Sequence, residues 1–188
     1  LVKCTPEGEV IWWKARPASS AFTGVIRSAQ GGVLCFGTSD NPQTDLPRVL
    51  LVRYSAAGTE VWRREDIISA DSELRDATFT NGFQQADGSY IICGVIRNTQ
   101  LDLFDKGMLY KFDQNGNELW SRFYSHYSGL PVGYPQVFKD VKPTSDGGFI
   151  LTGETNGPSP PNPVRLWLVK LDSMGCLVPG CHTVGVEE

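Results

Sequence analysis

Histidine is almost absent from this chain: His126 and His182 are the only two in 188 residues, and neither lies near an activating acid or a nucleophile motif such as Gly-x-Ser-x-Gly. A Ser/His/Asp or Cys/His enzyme is therefore not expected, and no catalytic residue is assigned. Long apolar stretches are missing too. The longest runs are a handful of residues, against the roughly 20 that a membrane-crossing helix needs, so no membrane insertion is expected. Positive charge is in deficit: Lys and Arg against Asp and Glu give 17 − 21 = −4, with no basic block to track phosphates. That removes nucleic acid from the expected partners. The opening stretch Leu1 to Gly8 has neither the basic start nor the apolar core of an export signal. The chain reads as a piece of something longer, with any such signal upstream.

What the chain does have is glycine and tryptophan, 20 and 5 residues respectively, placed with a period. A basic residue precedes a glycine by five positions and a tryptophan follows that glycine by four in Lys3-Gly8-Trp12, Arg53-Gly58-Trp62 and Lys111-Gly116-Trp120. A fourth copy runs from Lys170 to Gly175 but carries Pro179 in place of the tryptophan. A second element holds two glycines six apart, Gly31 and Gly37, Gly88 and Gly94, Gly147 and Gly153, with Phe22, Phe79 and Phe138 nine residues before the first glycine of each pair. The period is 57 and then 59 residues, counted from Gly31 to Gly88 to Gly147.

Each unit gives four strand signals. In the unit starting at Phe79, a first strand ends at the Asp87-Gly88 turn and the apolar run Tyr90-Ile91-Ile92-Cys93 follows. A variable loop leads to Met108-Leu109-Tyr110-Lys111-Phe112, the Asn115-Gly116 turn and a closing strand from Glu118 to Phe123. Asp-Gly and Asn-Gly are hairpin chemistry because they accept positive φ. The middle strands are apolar on both faces, whereas the closing strand alternates, with Glu118 and Trp120 on one face and Leu119 on the other. Sheets covered on both faces and repeated at this period must stack on one another. The expected fold is all-β, a β-propeller of four-stranded antiparallel blades. A half blade at 1–15 and blades at 22–64, 79–123 and 137–181 form a single segment, followed by a tail at 182–188. About three and a half blades do not close a regular ring, so a fragment of a larger propeller is expected. A four-bladed ring closed by the tail is the alternative, and a β-sandwich is the runner-up fold.

The stretch Ser145-Asp146-Gly147-Gly148-Phe149-Ile150-Leu151-Thr152-Gly153, then Leu166-Trp167-Leu168-Val169-Lys170-Leu171-Asp172 and Gly175-Cys176-Leu177-Val178-Pro179-Gly180-Cys181, resembles the propeller repeats of large secreted proteins of Bacteroidetes. The likeness covers essentially the whole chain and is strongest in the last unit; Gln30 and Ser89 depart from it in the earlier ones. It implies an extracellular or cell-surface protein, cargo of the type IX secretion system, whose partner is another protein or the secretion machinery. The same resemblance makes Asp172-Ser173-Met174 an O-glycosylation sequence with Ser173 as the acceptor.

Cys176 and Cys181 flank Val178-Pro179-Gly180 at a spacing that suits a small disulfide loop in an extracellular protein. A metal pair would need ligands beyond His182, so no metal and no cofactor are expected. Cys4, Cys35 and Cys93 occupy apolar strand positions and read as buried free thiols, with Cys35 and Cys93 facing opposite ways. Asp113 to Glu118 superficially resembles a calcium loop, but other copies carry Thr5-Pro6-Glu7-Gly8 and Ser55-Ala56-Ala57-Gly58 there, which favours a hairpin turn. Trp12, Trp62 and Trp120 share one register and read as packing residues. Trp13, Tyr124, Tyr127, Tyr134 and Trp167 are irregular and are the candidates for surface recognition of a protein or a glycan. The loops at 39–47, 98–105 and 156–163 emerge on one rim, where recognition usually resides. The leading functional reading is a non-enzymatic scaffold and recognition segment. Its rivals are a glycan- or peptide-acting enzyme, for which Asp76, Asp105 and Asp140 would supply acids at the strand ends together with residues in missing blades, and a passive secretion cargo.

Overall fold

The computed structural model describes residues 1–15, 20–40, 47–65, 74–98, 105–126, 136–156, 164–177 and 181, with the backbone alone at 47, 74–76, 97 and 98. Within these the chain is all-β. A hairpin, β1 (Val2–Cys4) and β2 (Val10–Trp13), precedes a four-stranded sheet of β3 (Ser20–Arg27), β4 (Val33–Asp40), β5 (Pro47–Tyr54) and β6 (Glu60–Glu65). A second four-stranded sheet holds β7 (Leu74–Gln84), β8 (Tyr90–Asn98), β9 (Lys106–Phe112) and β10 (Glu118–Tyr124). The third has three strands, β11 (Gln136–Pro143), β12 (Phe149–Asn156) and β13 (Val164–Leu171). All pairings are antiparallel between consecutive strands.

Seven turns among the described residues share one geometry, and six of them join the two strands of a hairpin. At Asp113 to Asn117, for example, the Asp113 N–H donates to the Asn117 carbonyl at 2.9 Å and the Gly116 N–H to the Asp113 carbonyl at 3.1 Å. Three residues lie between the paired ends, the last a glycine of positive φ such as Gly116 at 78°, so the turn is wider than the two-residue hairpin that Asn-Gly suggests. Asp113 serves this turn. Its Oδ1 accepts the N–H groups of Asn115 and Asn117, both at 2.8 Å, and its Oδ2 accepts the Asn117 amide at 2.8 Å, so the carboxylate caps the hairpin turn.

The two glycines six apart have different causes. The first sits in a turn; the second lies where the first strand of the same sheet comes too close for any side chain. A Cβ on Gly37, Gly94 or Gly153 would lie 1.9, 2.0 or 2.0 Å from the carbonyl oxygen of Ala21, Thr78 or Val137. Those carbonyls belong to a β-bulge found in each first strand, between Phe22 and Gly24, Phe79 and Asn81, and Phe138 and Asp140. The bulge frees the Thr23 hydroxyl to donate to the Phe79 carbonyl of the next sheet at 2.9 Å, and the Thr80 hydroxyl to donate to the Phe138 carbonyl at 2.7 Å. The periodic phenylalanines thus mark the line along which the first strands of successive sheets are joined.

Stacking of the sheets produces three apolar clusters. Ile26, Leu34, Phe36, Val49 and Leu51 of the first sheet meet Phe79, Tyr90, Ile92, Met108, Tyr110 and Phe112 of the second. Ile91, Cys93 and Leu109, on the opposite face of that second sheet, meet Phe138, Val141, Phe149, Leu151, Trp167 and Val169. Cys35, Leu50, Val52 and Tyr54 pack toward Leu1 and the hairpin. The middle strands are buried on both faces, as their unbroken apolar character predicts. Simple alternation fails in the closing strands: a second bulge turns Ile11, Val61 and Leu119 outward, each half exposed, beside the more buried tryptophan. Among the described residues no fourth strand follows β13; the chain turns at Asp172 and ends in the Cys176–Cys181 disulfide, with Cα atoms 5.5 Å apart.

Phe79 is fully buried and makes edge contacts with Phe36, Tyr110 and Phe112 at 5.6–6.3 Å between ring centroids. Phe79→Ala is expected to cost about 3–5 kcal/mol, read as a lower urea midpoint; a loss below about 1 kcal/mol would show that the first two sheets are not held by this cluster.

Candidate recognition surface

Each tryptophan of the repeat crosses to the next unit and covers its turn glycine. The Trp12 indole N–H donates to the Ala56 carbonyl at 3.1 Å, and that of Trp62 to the Gln114 carbonyl at 3.0 Å. A Cβ on Gly58, Gly116 or Gly175 would lie 2.8, 2.7 or 3.1 Å from the ring of Trp12, Trp62 or Trp120. Two residues on, Arg64 and Arg122 stack over Trp62 and Trp120 at 5.7 and 5.4 Å from the ring centroids. Arg64 also donates to the Asn115 carbonyl at 2.9 Å. These tryptophans are packing residues, as their shared register predicts. The Trp-x-Arg pairing is a feature that spacing alone could have shown, since Lys14 occupies the same place after Trp12.

The irregular aromatics separate. Trp13 is 66% exposed and is the one candidate that lies on the described surface. Tyr124 and Trp167 do not: the expectation that they form a surface contact is corrected by their burial in the cluster between the second and third sheets. The Tyr124 hydroxyl donates to the Gly175 carbonyl at 2.6 Å, and Trp167 stacks on Phe138 at 4.3 Å. Their burial follows from position, because Trp167 aligns with Met108 and Leu50, which face a neighbouring sheet. Tyr127, Tyr134 and His182 lie outside the described residues, as do most residues of the three loops. The strands bracketing those loops end at the same end of each sheet, with Asp40 opposite Pro47 and Asn156 opposite Val164. Ser173 is exposed at the tip of the turn whose Asp172 carboxylate accepts the Met174 and Cys176 N–H groups at 2.9 and 2.7 Å.

The clearest electrostatic perturbations serve turns. Lys170 donates to both carboxylate oxygens of Asp146 at 3.0 and 2.7 Å; this bond, with help from the Thr144 hydroxyl and the Gly148 N–H, holds the carboxyl well below the usual carboxylate range. Asp87 is lowered in the same way, chiefly by the Ser89 hydroxyl and N–H and further by Lys111 at 3.4 Å. Where Gln30 replaces the aspartate, Arg53 donates instead to the Gly31 carbonyl at 2.8 Å and to the Tyr54 carbonyl. In these three sheets the basic residue of the repeat is thus a brace between third strand and turn, whereas Lys3 donates to the Ala56 carbonyl of the next unit at 2.9 Å. Asp140 accepts from the Asn81 amide and the Lys142 ammonium, both at 2.7 Å, and from the Val141 N–H. Among the described residues no group of three or more His, Cys, Asp and Glu gathers as a metal site would require.

Of the cysteines expected to be buried and free, Cys35 and Cys93 are, and burial raises their thiols to about 11 and about 12. They lie in different clusters on opposite sheet faces. Cys4 departs from the expectation and is exposed, because among the described residues no strand lies beyond β1. It lines a cleft of about 1160 Å³, walled by the first hairpin, by Val25 to Val33 of the first sheet and by Gly82 to Ala86 of the second. Comparison with known proteins adds no assignment: no protein-family model and no curated protein matches the chain.

Two outcomes follow. Thiol titration of the unreduced protein should find three thiols after denaturation but only Cys4 reactive in the native state; five thiols would refute the Cys176–Cys181 bridge. Because the folded pKa of Asp146 is depressed, the unfolded chain binds the proton first as pH falls. The stabilisation is therefore present above about pH 4 and is lost below it. Asp146→Asn should lower the Tm slightly at pH 7 and leave it unchanged in strong acid, as thermal melts across pH will read.

Proposed function

We propose that this chain is a β-propeller segment acting as a non-enzymatic scaffold, which presents the loops at one end of its sheets to a protein or glycan partner. The observation that carries the reading is the stacking itself: successive sheets are joined by the same tryptophan-on-glycine contact and the same threonine bridge, a rigid repeated frame with variable loops at one end. Asp140 and Asp146 are each hydrogen-bonded to a lysine, which supports a structural role for these two carboxylates.

The protein is exported and works at the cell surface or in the medium, as cargo of a type IX secretion system of the kind Bacteroidetes carry. The disulfide Cys176–Cys181 supports an oxidising location, and the exposed Ser173 in its Asp-Ser-Met turn supports O-glycosylation. Fractionation of the producing cells with an antibody to this chain should find it outside the cytoplasm. Mass spectrometry should find Cys176 and Cys181 bridged and the Ser173 peptide carrying sugar. Recovery from the cytoplasm alone, with both cysteines reduced, would overturn the reading.

A further inference from the structure

We propose that the open edge of β1 and the cleft beside it form a strand-accepting site, and that its occupant is a β-hairpin with the pattern of the repeat's own first two strands, contributed from outside these 188 residues.

β1 occupies the register of β5, β9 and β13: Lys3 faces Trp12 as Arg53 faces Trp62 and Lys111 faces Trp120. β5, β9 and β13 are each paired along their length with an inner strand, β4, β8 or β12, whereas among the described residues β1 has only β2. The Lys14 N–H donates to the Leu1 carbonyl at 2.8 Å, so by antiparallel alternation the N–H and C=O of Val2 point away from β2, into the cleft. An edge of that kind is a template for a further strand.

The opposite wall shows that the occupant is two strands wide. Val25, Gly82 and Val141 are equivalent residues, opposite Cys35, Ile92 and Leu151 in their own sheets. Val141 is fully buried in the cluster against which Phe83 packs, and a Cβ on Gly82 would lie 3.0 Å from the Ile26 side chain. In both cases the cover is the residue after the Val25 position in the preceding sheet's first strand. Val25 has no such cover and is 55% exposed. A single strand on β1 would complete the pairing yet leave Val25 open; a hairpin satisfies both walls. The site is continuous with the cluster of Leu1, Val33 and Tyr54, so the new interface extends one already present. None of this depends on how many sheets a complete assembly holds or on where the protein is located.

The probe is a synthetic peptide of residues 77–96 of this chain carrying Cys93→Ser, added to the full 188-residue protein. It supplies Phe83 at the covering position and the run from Tyr90 onward for pairing. Cys4, the one reactive thiol of the native protein, is the reporter. At a peptide concentration about ten times the Kd, labelling of Cys4 should slow about tenfold, and the Val2 amide should gain protection from hydrogen exchange. The same peptide with Ile92→Pro, which cannot pair as a central strand, should give neither effect. Val25→Asp in the protein should remove the protection while leaving Cys35 and Cys93 unreactive, which shows that the fold persists. An unchanged Cys4 rate at about 1 mM peptide, a weak affinity by any standard, would overturn the proposal. So would equal protection by the proline peptide, or a dimer mass with Cys4 already shielded by a second copy.

Discussion

Placing an indole over a bare glycine is the contact on which this architecture turns. Trp62 reaches Gly116 only because that residue has no side chain, and the positive φ of the turn makes glycine the natural occupant in any case. One residue therefore meets two demands, the local geometry of a hairpin and close approach from the neighbouring unit. The indole N–H then finds the carbonyl two residues before that glycine, and Arg64 closes over the ring. Buried aromatic area, a satisfied donor and a stacked cation act at one point. The register between units is fixed there at the outer strands, and by the threonine bridges at the inner ones.

Charged groups play a subordinate part in this frame. The lysines and arginines placed five residues before each turn glycine do not gather into a surface of one sign. Arg53, Lys111 and Lys170 are spent on their own sheets, on an aspartate where the turn has one and on backbone carbonyls where it does not, whereas Lys3 donates to the Ala56 carbonyl of the next sheet at 2.9 Å. Both partners of the Asp146–Lys170 pair are largely exposed, so solvent screens it, and its role is to fix a turn rather than to supply much stability.

The four antiparallel strands of the first two complete units and the Cys176–Cys181 bridge were legible in the sequence because each rests on local chemistry: an apolar run, a turn glycine, two thiols five residues apart. The tryptophans were legible as packing residues because their spacing repeats. Tyr124 and Trp167 were misread for the converse reason. Irregular spacing is not freedom from packing: Trp167 fills with an indole the place that Met108 and Leu50 fill in their sheets, and a core accepts unlike side chains of adequate size. Cys4 was misread because strand character predicts burial only when another strand lies alongside. The bulges after Phe22, Phe79 and Phe138 left a trace in the glycine spacing, but a close approach of backbone to backbone has no composition of its own. The third unit departs from the expected four strands: among the described residues it has three, and Pro179 stands where the other units carry tryptophan.

The serial arrangement of these clusters has an energetic corollary. Among the described residues the apolar clusters join each sheet to the one before or after it, the arrangement of a one-dimensional cooperative chain in which free energy is shared between neighbours. The second sheet, gripped on both faces, is the reservoir of stability. The first hairpin, with two short strands and one covered face, sits at the opposite extreme of that gradient. Excursions that open the protein begin at such an end and travel inward one sheet at a time, so a molecule caught partway still carries an intact central sheet with its aromatic interior closed.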